Sequence, residues 1–231
     1  MNLLALDTAG KTAAVAVLRD DTLLYEAQCN NGLTHSETLL PMIDTALKAC
    51  GLTVDDLDVL GVTNGPGSFT GLRIGIAAIK GLAFPDDTPC IGVSTPEAIA
   101  YGLLGFEGTV IPMMDARCGQ VYTALFQGKD GRLTRLSEDE ALPLSELKEK
   151  LKSCTGPLWL CGDGAHLGLA AWGEELPVRM APAHLCCQRA SAVGLAAMQH
   201  LGEAVSPAAL VPCYLRPANA MTLAERQKKG G

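Results

Sequence analysis

The sequence predicts an α/β protein of two lobes with mixed sheets, facing each other across a cleft. Three observations lead there. Short apolar strands alternate with helix-period segments along the chain. The chain opens with a hairpin, LLALDTAGKTAAVAVL over 3–18, so the first sheet is mixed rather than all parallel. A later stretch, MMDARCGQVYTALF over 113–126, repeats that opening: apolar strand, Asp, a short turn with one Gly, then a β-rich strand. With Asp115 set beneath Asp7 the glycine falls one place out of register. The repeat divides the chain into residues 1–106 and 107–231, with no long linker between them.

After the opening hairpin, residues 22–29 read as a third strand. Thr34-His35-Ser36-Glu37 has the capping-box pattern, and Leu39, Leu40, Ile43 and Leu47 follow at helical spacing. Pro41 bends that helix or marks its first turns. A strand at 57–63 leads into NGPGSFTGLRIG and a helix over 71–83. A strand at 90–93 and a helix at 95–104 complete the first unit. In the second unit the hairpin at 109–133 precedes a helix at 143–152, a strand at 157–161, a helix at 163–172 and a small-residue helix at 184–203. The chain ends in VPCYLRP and a polar, basic tail, ERQKKGG, read as frayed.

Composition sets the class. At 231 residues with 48% apolar and 19% charged side chains, the chain buries a real core. The net charge of −7 is uneven: residues 1–128 carry 14 acidic and 6 basic side chains, the remainder 11 and 12. An acidic front half is a poor platform for phosphate backbones, so nucleic acid is not gripped by this chain alone. The nine cysteines are odd in number and form no C-x-x-C. They read as small buried hydrophobes in a reducing cytoplasm, not as a disulfide framework or a zinc site. MNLLALD lacks the basic segment of a signal peptide, and no uncharged apolar run approaches the ~20 residues of a membrane span.

The glycine loop fits none of the phosphate or nucleophile patterns. Gly65 to Gly71 is one place too long for a Walker A loop, and no Lys-Ser or Lys-Thr follows. The third glycine is misplaced for G-x-G-x-x-G. Ser68 has Pro66 and Thr70 where a nucleophile elbow needs glycines. What remains is structural: Pro66 fixes φ, Gly65 and Gly67 permit the turn, and Ser68 or Thr70 caps the helix, whose N-terminus is the other possible role, offered to an anion or partner. The turn Asp7-Thr8-Ala9-Gly10-Lys11-Thr12 is either a polar hairpin turn or a phosphate turn with Asp7 ordering Mg²⁺ through water. The Asp115 turn lacks the paired glycines a phosphate cradle needs. His35 has Thr38 and Leu39 at its helical neighbours, so no metal pair forms. The Leu39–Leu47 stripe reads as core when taken alone.

Taken in order, LALDTAGKTAAVAVL, HSETLLPMI, GVTNGPGSFTGLRIG, MMDARCGQVYTALF and PCYLRP resemble the TsaB (YeaZ) family, over essentially the whole chain. GPGSFTGLRIG and DARCGQVY are the specific parts. The resemblance implies a duplicated actin/Hsp70/sugar-kinase-like fold with a reduced second lobe. It implies a non-catalytic subunit that pairs with the catalytic subunit TsaD, joined by the ATPase TsaE, for threonylcarbamoylation of the adenosine next to the anticodon of tRNA. TsaD carries His-x-x-x-His on its early helix for a metal; the matching positions here are His35 and Leu39. The resemblance places the partner interface on the helices at about 35–50 and 71–83, with Leu39, Leu40, Ile43, Leu47, Arg73 and Ile76, and so reverses the core reading of the stripe. Asp7, Thr8, Gly10 and Asp115 become a vestigial nucleotide turn, and Gly65, Pro66, Gly67 and Ser68 a structural loop. No cofactor is expected on the chain in isolation; ATP or ADP and metal are expected only in the complex, on partner subunits or at the interface. A homodimer is allowed when TsaD is absent, and tRNA is met only indirectly. An ATPase or small-molecule kinase using the Asp7 turn is the alternative; a peptidase lacks any assembled Ser-His-Asp or metal set.

Overall fold

The computed structural model describes residues 1–216, so the ERQKKGG tail lies outside the described residues. The first unit runs β1 (Asn2–Asp7), β2 (Ala13–Arg19), β3 (Thr22–Cys29), α1 (His35–Cys50), β4 (Val59–Gly65), α2 (Phe69–Ala83), β5 (Cys90–Ser94) and α3 (Thr95–Tyr101). The second runs β6 (Gly108–Arg117), β7 (Gln120–Thr123), β8 (Phe126–Lys129), β9 (Arg132–Arg135), β10 (Glu140–Pro143), α4 (Leu144–Leu151), β11 (Leu158–Cys161), α5 (Ala165–Trp172), β12 (Val178–Met180) and α6 (Ala190–Gln199).

The sheets repeat one topology. The first has the order β3-β2-β1-β4-β5, and the second β10-β7-β6-β11-β12. In each, the opening strand pairs antiparallel with the next and parallel with a later one: β1 with β2 and β4, β6 with β7 and β11. The hairpin β8–β9 is an addition to the second sheet, paired to β6 through β8. Asp7 pairs with Ala14 and Asp115 with Val121, so the two aspartates occupy equivalent strand ends. This is the duplicated two-lobe fold, and its second copy is the reduced one: α4 and α5 have 8 residues each where α1 and α2 have 16 and 15. The β10 and β12 strands and the separate β8–β9 hairpin were not legible in the sequence, because three- and four-residue strands carry too little alternation to register.

Alternation sorts the first sheet's side chains. Leu4, Leu6, Val15 and Val17 face the cluster built by α1 and α2. Leu3, Ala5, Ala14, Ala16 and Leu18 face the opposite cluster, whose other wall is Ala190, Val193, Ala196 and Ala197 of α6. This corrects the assignment of 107–231 to one second lobe. α6 crosses back onto the first sheet, Val205 bridges Cys90, and Leu210 enters the α1–α2 core. The reason is steric. The alanine face of β1 and β2 leaves room only for a helix of small residues approaching closely, and at Gly194 a Cβ would press on Leu18 Cδ1. α3 makes the reverse crossing, with Ile99 and Ala100 in the cluster that holds Val110, Met114 and Phe126.

An ionic cluster ties these crossings together. Glu97 of α3 accepts from Arg135 at 3.2 Å and meets His200, just past α6, at 3.0 Å. Arg135 also bonds Asp139 at 2.8 Å, and Asp139 accepts from Ser94 Oγ at 2.9 Å. His200 has a second carboxylate, Glu203, at 3.1 Å. Burial alone lowers the His200 pKa, but its bonds to Glu97 and Glu203 outweigh this and hold it above the ordinary value. A raised folded pKa contributes stability that is complete below the unfolded value of about 6.5 and is lost as pH rises through the folded value. Thermal melts of His200→Gln across pH 5 to 9 are therefore expected to lie below the parent at acid pH and converge on it as pH rises. Parallel curves would show that the imidazole's charge does not act here.

Candidate functional site

The site is built where the hairpin turn after β1 meets the N-terminus of α2. Asp7 and Thr8 are fully buried. Asp7 Oδ1 accepts the Ala9 N–H at 2.8 Å and the Thr63 hydroxyl at 3.2 Å; Oδ2 has no partner among the described residues. Burial pushes its pKa up to about 7, with the bonds from Ala9 and Thr63 opposing. Thr8 Oγ1 donates to the Gly71 carbonyl at 2.8 Å, and the Ser68 N–H donates to the Ala9 carbonyl at 2.7 Å. Ser68 Oγ accepts the Gly71 N–H at 3.2 Å, capping α2.

The glycines of the segment that follows β4 and opens α2 serve this approach. Gly67, just before α2, and Gly71 and Gly75 within it recur every four residues and together present a bare surface to the turn. A Cβ at Gly67 would lie 2.6 Å from the Ala9 carbonyl oxygen; at Gly71 it would overlap the Thr8 carbonyl, and at Gly75 the Thr8 hydroxyl. The backbone at the start of α2 therefore packs directly on Thr8 and Ala9. Gly10 is covered on one side, where the buried Gln188 side chain packs onto it. His35 Nε2 donates to the Gly10 carbonyl at 2.9 Å, so this histidine pins the turn. Leu39, at the place a second helical ligand would take, is buried.

Beside this filled turn a cleft of ≈ 350 Å³ opens between the lobes, lined by Gly10, Lys11, Ser68, Asp115, Arg117, Tyr122 and Asp163 among others. Asp7 is not on its wall. Asp115 Oδ1 accepts the Arg117 N–H at 2.8 Å, and its Oδ2 pairs with the Arg117 guanidinium at 3.2 Å. Asp163 accepts the Asp115 N–H at 3.2 Å. Its pKa is raised, first by burial and then by the Asp115 charge, against that N–H bond and the Lys11 and Arg117 charges. Thus Asp7, Thr8, Gly10 and Asp115 are not brought together as one open site: Asp7 and Thr8 are spent in the interior, while Gly10, packed by Gln188, and Asp115, both of whose oxygens are held by Arg117, line the cleft. Asp163 was missed by the sequence reading. Its signal was the Gly162-Asp163-Gly164 loop after β11, the second unit's counterpart of the glycine loop.

The two long helices form a second feature. A groove of ≈ 420 Å³ runs between α1 and α2, walled by Leu40, Ile74, Ala77, Ala78 and Leu82, with His35 at one end. Here the expected interface set is corrected. Leu39, Ile43, Leu47 and Ile76 are buried in this chain's own core, against the first sheet. They lie on the inner face of helices whose apolar stripe is wider than one partner needs. Leu40 is 58% exposed, and Arg73 is also exposed, its guanidinium over the Phe69 ring at 3.7 Å. The groove residues on α2 were missed because Ala77 and Ala78 carry no size signal.

Two outcomes follow from the turn. Gly71→Ala is expected to destabilise the fold by about 1–3 kcal/mol, since neither the helix nor the Thr8 carbonyl can retreat without moving β1; chemical denaturation measures it. Asp7→Asn keeps the acceptor and removes the charge. The folded pKa of Asp7 is raised, so folding costs free energy as pH rises from about 4 to about 7. The variant's melting temperature should exceed the parent's at pH 8, with the gap closing towards pH 4.

Comparison with known proteins agrees with this architecture. Residues 32–154 match the family model TsaD, tRNA N6-adenosine threonylcarbamoyltransferase. The chain is 34% identical to the tRNA threonylcarbamoyladenosine biosynthesis protein TsaB of Bacillus subtilis, covering 95% of this chain and 96% of that one. It is 35% identical to TsaB of Escherichia coli over 71% of this chain and 72% of that one. YeaZ from Pseudomonas aeruginosa superposes with a TM-score of 0.76 at 26% identity, covering 93% of this chain and 99% of that one. With sequence identity over matched length and a matching fold, the chain belongs to the TsaB (YeaZ) family of tRNA threonylcarbamoyladenosine biosynthesis proteins, within the wider group that the TsaD model describes.

Proposed function

We propose that this chain is a non-catalytic subunit that pairs with a TsaD-type catalytic protein for threonylcarbamoylation of the adenosine adjacent to the anticodon. The observation that carries the pairing is the open apolar groove between α1 and α2. Exposed apolar surface of this kind marks an interaction site. Its small residues, Ala77, Ala78 and Gly81, let another helix approach closely, ridge into groove. A related two-lobe protein offers the same helix pair, so the two chains would join as a pseudo-symmetric four-helix bundle, and two copies of this chain would join likewise when the partner is absent.

The filled Asp7 turn supports the absence of chemistry on this chain. A phosphate would have to displace the α2 backbone from Thr8 and Ala9, and Gln188 from Gly10. An ATPase or kinase acting through Asp7 is therefore the weaker reading. ATP or ADP and metal belong on the partner subunits or at the interface, with a TsaE-type ATPase joining the pair, and the assembly works in the cytoplasm. Among the described residues no helix is long and apolar enough to cross a membrane.

The test is co-purification with the TsaD of the same organism. Leu40→Asp should abolish pairing while leaving the melting temperature within a few degrees of the parent, because its side chain is outside the core. Leu39→Asp should unfold the monomer, since it places a charge in the buried cluster. Normal assembly by a folded Leu40→Asp chain would remove the groove as the interface.

A further inference from the structure

We infer that the mouth of the inter-lobe cleft, where Phe69, Arg73, Arg117, Tyr122, Tyr214 and Arg216 converge, is a docking surface for single-stranded RNA. The choice of RNA rests on the function proposed above; the chemistry of the surface stands on its own geometry.

The described C-terminal segment builds this surface. Cys213 N–H donates to the Asn64 carbonyl at 2.7 Å, which lays the following residues across the start of α2. Tyr214 then stacks on Phe69, with ring centroids 4.8 Å apart and planes 28° from parallel. Arg73 covers the Phe69 ring and donates from Nε to Tyr214 Oη at 3.0 Å. Arg216 reaches the second lobe, donating to the Ala116 carbonyl at 2.9 Å with its guanidinium 5.9 Å from the Tyr122 ring. A recess of ≈ 180 Å³ lies between them, and Arg117 forms its far wall.

Charge and shape together select the ligand class. The chain carries −7 overall, yet among the described residues those lining this recess include two arginines and no carboxylate. Asp115, in the adjoining cleft, is already engaged by Arg117. Each guanidinium has five N–H donors, and among the described residues each of the three arginines makes one side-chain hydrogen bond. Donors therefore remain for phosphate oxygens. Three aromatic rings stand beside them, with Tyr214 37% exposed. An acidic peptide would use the cations and leave the rings idle. An unstacked nucleotide uses both, its base against a ring and its phosphate on arginine. The recess shares Gly67, Ala116, Arg117 and Tyr122 with the larger cleft, where the carboxylates of Asp115 and Asp163 stand beside Lys11, so the phosphate contacts are confined to the arginines at the mouth. Neither the paired strands of a duplex nor a bare ion calls for both parts.

The experiment is fluorescence anisotropy of the full chain with a short, labelled, unstructured RNA of mixed sequence, at several salt concentrations. Saturable binding is expected, with log K falling against log salt at a slope of about −2, as for about three phosphate contacts. Arg117→Glu and Arg216→Glu should each weaken binding at least tenfold, and Tyr214→Ala by about tenfold. Lys48→Glu, a charge reversal on the exposed face of α1, should leave it unchanged. Arg216→Gln serves if the Glu variant melts early. No binding by the parent chain, equal binding by the arginine variants, or equal displacement by duplex RNA or a poly-glutamate peptide would overturn the inference. Co-purification with TsaD is run on the same variants. Intact pairing with altered RNA affinity supports both readings, and intact pairing with unaltered affinity removes only this one. Failure of the parent chain to pair removes the proposed function instead.

Discussion

The contact on which the rest depends is the approach of the α2 backbone to the turn after β1. Two hydrogen bonds define it, Ser68 N–H to the Ala9 carbonyl and Thr8 Oγ1 to the Gly71 carbonyl, and the glycine stripe makes it sterically possible. A helix so close to a strand end has little freedom to tilt. Its adjoining face, with Ile74, Ala77 and Ala78, is fixed relative to α1, and so is the groove between them. The same contact sets the position of Phe69 and Arg73 at the cleft mouth. One local packing decision thus buries the Asp7 turn, shapes an apolar groove and aims an arginine–aromatic cluster.

The second unit repeats the arrangement in looser form. Gly164 N–H donates to the Met113 carbonyl at 2.9 Å, and a Cβ at Gly164 would lie 2.9 Å from the Asp115 nitrogen. The loop after β11 therefore crowds the Asp115 strand end as the loop after β4 crowds Asp7. The difference lies in burial. Asp7 is sealed under a 15-residue helix, whereas Asp115 and Asp163 sit under an 8-residue one and keep a face to solvent. A shorter helix covers less of the strand end, so the reduced lobe keeps the open half of the cleft.

Much of the fold was legible because its long elements carry strong periods. The Thr34–Glu37 box, for example, does begin α1: the Glu37 carboxylate accepts the Thr34 N–H at 3.3 Å. The repeat was legible too, since an Asp at a hairpin turn is a local pattern. What failed to show was anything decided by a distant segment. The return of α6 to the first sheet depends on the fit between its small side chains and Ala5, Ala14 and Ala16, nearly two hundred residues away in sequence. The closing of the Asp7 turn depends on which face of α2 is bare, visible as a Gly67-Gly71-Gly75 spacing only once the turn is known to lie beneath it. Within the α1 stripe, sequence spacing marked four apolar positions alike, and only the direction of the sheet separates Leu40 from Leu39, Ile43 and Leu47.

That separation changes what an interface on this helix pair has to be. Four large residues facing outward would make a sticky helix and a monomer dependent on its partner. One exposed leucine beside alanines and a glycine makes a shallow, close-approach groove instead. Most of the apolar surface of α1 and α2 is already buried within the chain, each such leucine or isoleucine contributing roughly 1.5–3 kcal/mol to its own fold. The remaining groove has less area to offer, so complementarity of shape carries more of the specificity than hydrophobic area does. On the proposed pairing, a chain with this packing would fold on its own core and hold its partner through backbone proximity, an arrangement that would permit exchange between a copy of itself and a related chain presenting the same helix pair.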